Sequence, residues 1–229
     1  MQSMVYYIPI FTSIISALFC IELIFHWKKN RTRYFGWWII GVFFYGAGTV
    51  PESITAIIGW NEVVFKAWYI LGAMLGGVPL AQGTIYLIMK RNPADFLTAL
   101  LVPVILVGAI ACALSPIDYS KVETYRLSGN VILWQEVRLF PIVINTYALL
   151  FFVGGTMYAA YGFWKKKVSL NKCYGNVLIA VGGLLPGIGG AFMRYGHVEI
   201  LYISELLGII FIYAGYTVFR KDKSVLLSY

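Results

Sequence analysis

Between Tyr34 and Arg91 the chain holds two apolar runs joined only by the short turn Trp60-Asn61-Glu62. Each run is long enough to cross about 30 Å of hydrocarbon as a helix. In lipid, a spanning segment must satisfy its own backbone hydrogen bonds, so two such runs back to back predict a transmembrane helical hairpin. Glu52 lies inside the first run, between Pro51 and Ser53. A carboxylate at that depth is costly to bury, which makes Glu52 a candidate functional residue.

The same pattern fills the chain. Of 229 residues, 60% are hydrophobic and only 12% charged, about half the charged share of soluble domains. The class is therefore an all-α, polytopic membrane protein. Apolar runs predict seven spans, at about 5–26, 35–58, 65–89, 96–114, 139–164, 174–193 and 200–219, forming a single domain over 1–229. A basic turn with a helix-breaking proline, Lys90 to Pro93, separates spans 3 and 4, and the longest loop, 115–138, separates spans 4 and 5. Seventeen tyrosines and seven tryptophans suit aromatic belts at two membrane interfaces. The first run is expected to stay as a helix, because its positive charges (Lys28, Lys29, Arg31, Arg33) follow it and no small-x-small cleavage site is evident.

The net charge of +8 suggests nucleic acid until its distribution is read. One set of connections carries Lys28, Lys29, Arg31, Arg33, Lys90, Arg91, Lys165, Lys166, Lys167, Lys172, Arg220, Lys221 and Lys223; the other carries Lys66, Lys121, Arg126, Arg138 and Arg194. The positive-inside rule makes the first set cytoplasmic, with the N-terminus outside and the C-terminus inside. The expected partner is a lipid bilayer, with no nucleic acid. Spans 1 and 5 both leave through an aromatic-Trp-Lys-Lys exit, in FHWKKNRTRYFG and GFWKKKVSLNKCYG. Spans 1–3 and 5–7 then read as a parallel repeat around span 4, a 3+1+3 plan found in sugar-transporting seven-helix proteins, whose Pro-Gln signature is missing here. Chance similarity between two apolar, basic-flanked segments accounts for the pattern equally well.

Polar residues inside the spans supply the candidate site. Glu52 shares a helical face with Gly41, Tyr45, Gly48 and Thr55, and Glu205 with Tyr202, Gly208 and Ile212. Two inward carboxylates at one depth need a countercharge or a shared proton, and Arg194 is the cation nearest in depth. A structural Glu–Arg clamp is the plain alternative. Gln82, Asn145 and the aromatic residues Trp68, Tyr69 and Trp60 complete the candidate ligand-binding set. Glycines crowd spans 3 and 6, where they serve close helix packing or, with Pro51, Pro79 and Pro186, mark kinks. The scattered cysteines, Cys20, Cys112 and Cys173, have no metal or redox spacing. His26 and His197 are expected on opposite membrane faces, so no shared metal is expected. No HExxH, GxSxG or CxxC occurs.

Seven spans in this orientation are similar to microbial rhodopsins in outline, but span 7 has no lysine to hold retinal, so a retinal Schiff base is disfavoured and no cofactor is expected. The segments YGAGTVPES, GWNEVVFKAWYILGA, QGTIYLI, YGNVLIAVGG and YISELLGI resemble a family of small prokaryotic seven-helix proteins of uncharacterised function. That resemblance implies a multi-pass protein of a prokaryotic plasma membrane and brings no established activity. The sequence's own reading is a non-enzymatic transporter or sensor (receptor) that binds a small cationic or amphiphilic molecule, or a lipid ligand, in an outward-opening acidic and aromatic pocket. A sensor would need a cytoplasmic effector, because the inner loops are short. The alternatives are an enzyme acting on lipid or isoprenoid within the bilayer, with Glu52 or Glu205 as general acid, and a structural subunit of a larger complex or homo-oligomer.

Overall fold

The computed structural model describes residues 4–193 and 195–222, and its regular structure is helical throughout, without strands. The long helices are α1 (Ile8–Lys29), α2 (Arg33–Ile58), α5 (Arg91–Leu114), α8 (Leu170–Met193) and α9 (Val198–Lys221). Two further segments are built from shorter pieces. In one, α3 (Glu62–Trp68) runs into a π-helical turn, Tyr69–Met74, before α4 (Val78–Ile88); in the other, α6 (Leu139–Ala148) passes through the π-helical turn Leu149–Val153 into α7 (Gly154–Lys165). Among the described residues, six helical segments are long and apolar enough to cross a membrane: Met4–Lys29, Glu62–Ile88, Arg91–Leu114, Gln135–Lys165, Leu170–Met193 and Val198–Lys221. The helix α2 is equally long, with 26 residues, but its glycine, proline and polar content leaves it outside that set.

The helices begin and end within about five residues of the runs read from the sequence, with three informative differences. The third span is broken at Leu75–Gly77, just before Pro79 enters the first turn of α4, where a missing N–H is harmless. By contrast, Pro51 and Pro186 lie inside continuous helices. Pro93 does not hold the chain in a turn: it sits in the first turn of α5, which begins at Arg91. Lys172 is not a surface charge; it is 1% exposed, with its ammonium 5.8 Å from the ring centres of both Phe163 and Phe219.

The segments pack as a ring. α1 lies on α2, α2 on α4, α4 on the π-helical turn between α6 and α7, α7 on α8, and α8 on α9, which returns to α1. α5 stands outside this ring against α4 and α6. Exposed apolar stripes cover the outside, such as Phe11, Ile14, Leu18, Ile21 and Phe25 on α1 and Phe96, Leu100, Val107 and Ile110 on α5. Water would not tolerate so much apolar surface, whereas hydrocarbon does. Inside, one buried cluster joins Phe19, Val42, Phe65, Leu80, Phe152 and Ile209 from five segments.

The two ends of the ring differ. At one end lie the basic turns, tied by Arg33 and Arg91 to Asp95 and by Arg220 to Glu22. The other end carries the 115–138 loop, folded into a cap over buried Ile117, Leu127, Val131, Ile132 and Val137. The cap is stitched by Asp118 N–H to Val131 C=O at 2.8 Å and by Arg138 to the carbonyls of Asn130 and Ile132. Trp60 N–H donates to Thr124 C=O at 2.7 Å, and Arg126 to Met193 C=O at 2.7 Å, fixing the cap to the α2–α3 turn and to the end of α8.

Candidate functional site

The site forms where α2, α3 and α9 meet beneath the cap. Steps of three and four residues put Gly41, Tyr45, Gly48, Glu52 and Thr55 on one face of α2, and all five are buried. Gly48 sets the approach of the third span: a Cβ there would fall 2.6 Å from the Cα of Gly72. The helix α3 starts at Asn61, whose side chain accepts from the N–H groups of Val63 and Val64. One more turn brings Trp68 to Glu52, where the indole N–H donates to Oε1 at 2.8 Å. Glu52 itself is 1% exposed.

The opposite wall is α9. Tyr202, Gly208 and Ile212 are buried there, and the Tyr45 hydroxyl reaches across from α2 to donate to the backbone carbonyl of Glu205 at 2.7 Å. Gly208 makes that reach available, since a Cβ on it would meet the Tyr45 oxygen at 2.7 Å. The Glu205 carboxyl group lies within hydrogen-bonding reach of Glu52. The Oε2 atoms of both are enclosed and take no N–H or O–H donor from another described residue. At about 4 Å and an effective dielectric near 20, two unit negative charges repel by about 4 kcal/mol. A pair in this setting therefore needs a proton or a cation between its members.

Tyr202 closes the site on its capped side, its ring edge-on to Tyr6 at 6.2 Å. Beyond that contact lies an open cleft of about 370 Å³, lined by Tyr6, Glu123, Thr124, Tyr125, Arg126 and Glu199 among others. Arg126 is bound to Glu123 at 2.7 Å as well as to the Met193 carbonyl.

The structure thus brings together Glu52, Glu205, Tyr45, Trp68 and Tyr202. Tyr69 packs on Trp68 and Phe65 at the edge of this group, with Gly129 of the cap against its ring. Trp60 stacks on Phe65 at 5.9 Å. Gln82 belongs elsewhere: it donates to Ala94 C=O and to the Thr98 hydroxyl and accepts from Tyr147, joining α4, α5 and α6. Asn145 also stands apart; exposed, it donates to the Ala73 carbonyl at 2.9 Å, a backbone group in the π-helical turn. Both amides tie helices together, and Asn145 does so where the third span departs from regular α-helix. Arg194, the expected countercharge, lies outside the described residues. Sequence reading missed Tyr6 and the cleft residues Glu123, Arg126 and Glu199, because their proximity comes from the folded cap and no periodic signal encodes it.

Among the described residues no group of three or more His, Cys, Asp or Glu could hold a metal ion. His26 ends α1 at the basic end and His197 precedes α9 near the cap, on opposite sides as expected. Compared with protein families, curated proteins and solved structures, the chain matches none.

Proposed function

We propose that the chain is a seven-span membrane protein, N-terminus outside, that binds a small cationic or amphiphilic molecule at Glu52 and Glu205 and acts as a transporter or sensor. In this reading α2 is the seventh span, the basic end is cytoplasmic, and the cap faces outward. The observation that carries the proposal is the adjoining carboxyl pair, enclosed by Trp68, Tyr45 and Tyr202. Carboxylates supply charge to a bound cation, and aromatic faces add cation–π attraction in a water-poor setting. The ring order supports a two-unit plan: each three-span unit packs in chain order, and the units meet through α1 on α9 and the third span on the fifth. Glu52 and Glu205 belong to different units, the placement found for substrate sites in repeat-built transporters.

Uptake of a labelled organic cation, such as tetraphenylphosphonium, into proteoliposomes tests the reading. Transport should require the wild-type pair and fall at least tenfold in the Glu52→Gln, Glu205→Gln double variant. Pair-dependent binding without flux would make the protein a sensor, with a cytoplasmic effector to be sought. Neither binding nor flux across a panel of organic cations would refute the proposal.

A further inference from the structure

Resting on the cation-binding reading above, we infer that the Glu52–Glu205 pair holds one proton and exchanges it for the primary ammonium group of an alkylamine. The argument begins with lone pairs. Glu52 Oε1 is taken by the Trp68 N–H, while Glu52 Oε2 and the Oε2 of half-buried Glu205 are enclosed and unpartnered. Two enclosed, unpartnered acceptors call for N–H or O–H donors. A primary ammonium has three N–H donors and one charge; a quaternary ammonium has the charge and no donor. Divalent cations such as Ca²⁺ need six to eight oxygen ligands, and no third carboxylate joins this pair among the described residues.

Among the described residues, the groups facing the pair bring it no countercharge. From α2 comes Tyr45, whose hydroxyl is given to the Glu205 carbonyl. From α3 comes Trp68, given to Glu52, with Tyr69 of the following turn packed on it. α9 adds Tyr202 and, one turn further out, Glu199; the N-terminal turn adds Tyr6. The cap adds Glu123 and Arg126, which bind each other. α1 contributes Ser13, whose hydroxyl bonds the Thr49 hydroxyl of α2, and the described ionisable groups of α8 lie at its basic end. No described cation pairs with either glutamate. In the exchange the carboxylic O–H bond breaks heterolytically. The proton leaves to water in the outer cleft, and the ammonium N–H groups bond both carboxylates. One positive charge replaces another, and nothing is oxidised or reduced. Glu199, Tyr202 and Glu205 lie along one side of α9 at about 1.5 Å rise per residue, so the route to the cleft passes the Tyr6–Tyr202 contact.

The test uses purified full-length protein in lipid nanodiscs, with methylammonium and tetramethylammonium as probes. Infrared difference spectra should show loss of a carboxylic-acid carbonyl band when methylammonium is added, and a pH dye should report about one proton released per site. Apparent affinity should then rise about tenfold per pH unit while the pair carries its proton. Tetramethylammonium should leave the band in place. Glu52→Gln and Glu205→Gln should each abolish proton release, while the wild-type infrared signal stands independently of whether the variants fold. Pair-dependent methylammonium binding with no proton release and a flat pH profile would overturn the exchange while leaving the cation-binding reading intact. Equal proton release by tetramethylammonium would overturn the primary-ammonium assignment. Failure of every organic cation to bind would remove both.

Discussion

The seam between α8 and α9 offers a quantitative check on the packing that carries the site. Gly175, Gly182 and Gly189 recur every seventh residue on α8 and face Gly215, Gly208 and Ser204 of α9. A Cβ at Gly182 would lie 2.6 Å from the Gly208 carbonyl oxygen and 2.8 Å from the backbone nitrogen of Ile212. These are backbone atoms, so relief requires the helices to separate. At Gly187, in the same helix, a Cβ would meet nothing within 4 Å. Alanine at either position gains about 1 kcal/mol of helix propensity, and that gain cancels in the comparison. What remains is overpacking at Gly182, about 1–3 kcal/mol. At about 2–4 °C per kcal/mol for a chain of this size, Gly182→Ala should melt roughly 2–12 °C below Gly187→Ala. Thermal loss of the monodisperse size-exclusion peak in mild detergent measures it. Equal melting of the two variants would refute the close-packed seam, and with it the argument that Gly208 gives Tyr45 its path to Glu205.

Other consequences are as direct. Trp68→Phe removes the indole donor to Glu52 Oε1 and should destabilise the protein by about 1.5–3 kcal/mol; in a Glu52→Gln background the effect should shrink, and an undiminished loss would assign Trp68 to packing alone. In the cap, the Lys121 ammonium and the Ser120 hydroxyl hold Asp118 below its ordinary value of 3.8. A carboxylate held low contributes stability above its ordinary range and loses it as pH falls through the lowered value. Pepsin cleavage within 115–138 should therefore accelerate as pH drops below 3.8, and Asp118→Asn should cleave fast with a flatter profile; an unchanged profile in that variant would exclude Asp118 as the source. For orientation, single cysteines are placed in a chain freed of Cys20, Cys112 and Cys173. An impermeant maleimide should label Ser120→Cys on intact cells and Lys166→Cys only after permeabilisation, and the reverse pattern would invert the topology.

Spans, turns and the burial of the Glu52 face were readable because lipid allows few backbone solutions and because a 3.6-residue period places Tyr45, Gly48 and Glu52 together. The adjoining of Glu52 and Glu205 was also anticipated from their depth near one end of α2 and α9. What the sequence hid depends on long-range geometry. Gln82 and Asn145 are polar and within spans, just as Glu52 is, but amides there serve equally well as ties between helices. Only their partners, Thr98 and Tyr147 for Gln82 and the Ala73 carbonyl for Asn145, separate the two uses. The break at Leu75–Gly77 falls beside Gly76, Gly77 and Pro79, residues that the sequence offered as a kink, but hydropathy averages do not register backbone pairing and ran the third span through it unbroken.

The long helix outside the most apolar set, α2, gives Glu52 and Tyr45 to the site that α3 and α9 complete, and its lower hydropathy comes from that same buried face. Its buried positions include Gly41, Tyr45, Gly48, Thr49, Pro51, Glu52 and Thr55, whereas its exposed ones include Ile40, Phe43, Val50, Ile57 and Ile58. This reverses the order of a water-soluble helix: apolar groups face out, polar and small groups face in. Mean hydropathy sums both faces, so a helix lined with small and polar residues for its neighbours scores low however well its outer face suits lipid. The contacts show where those inner residues are used. Gly48 admits Gly72 of the third span, Tyr45 bonds to α9, and Glu52 takes the Trp68 N–H.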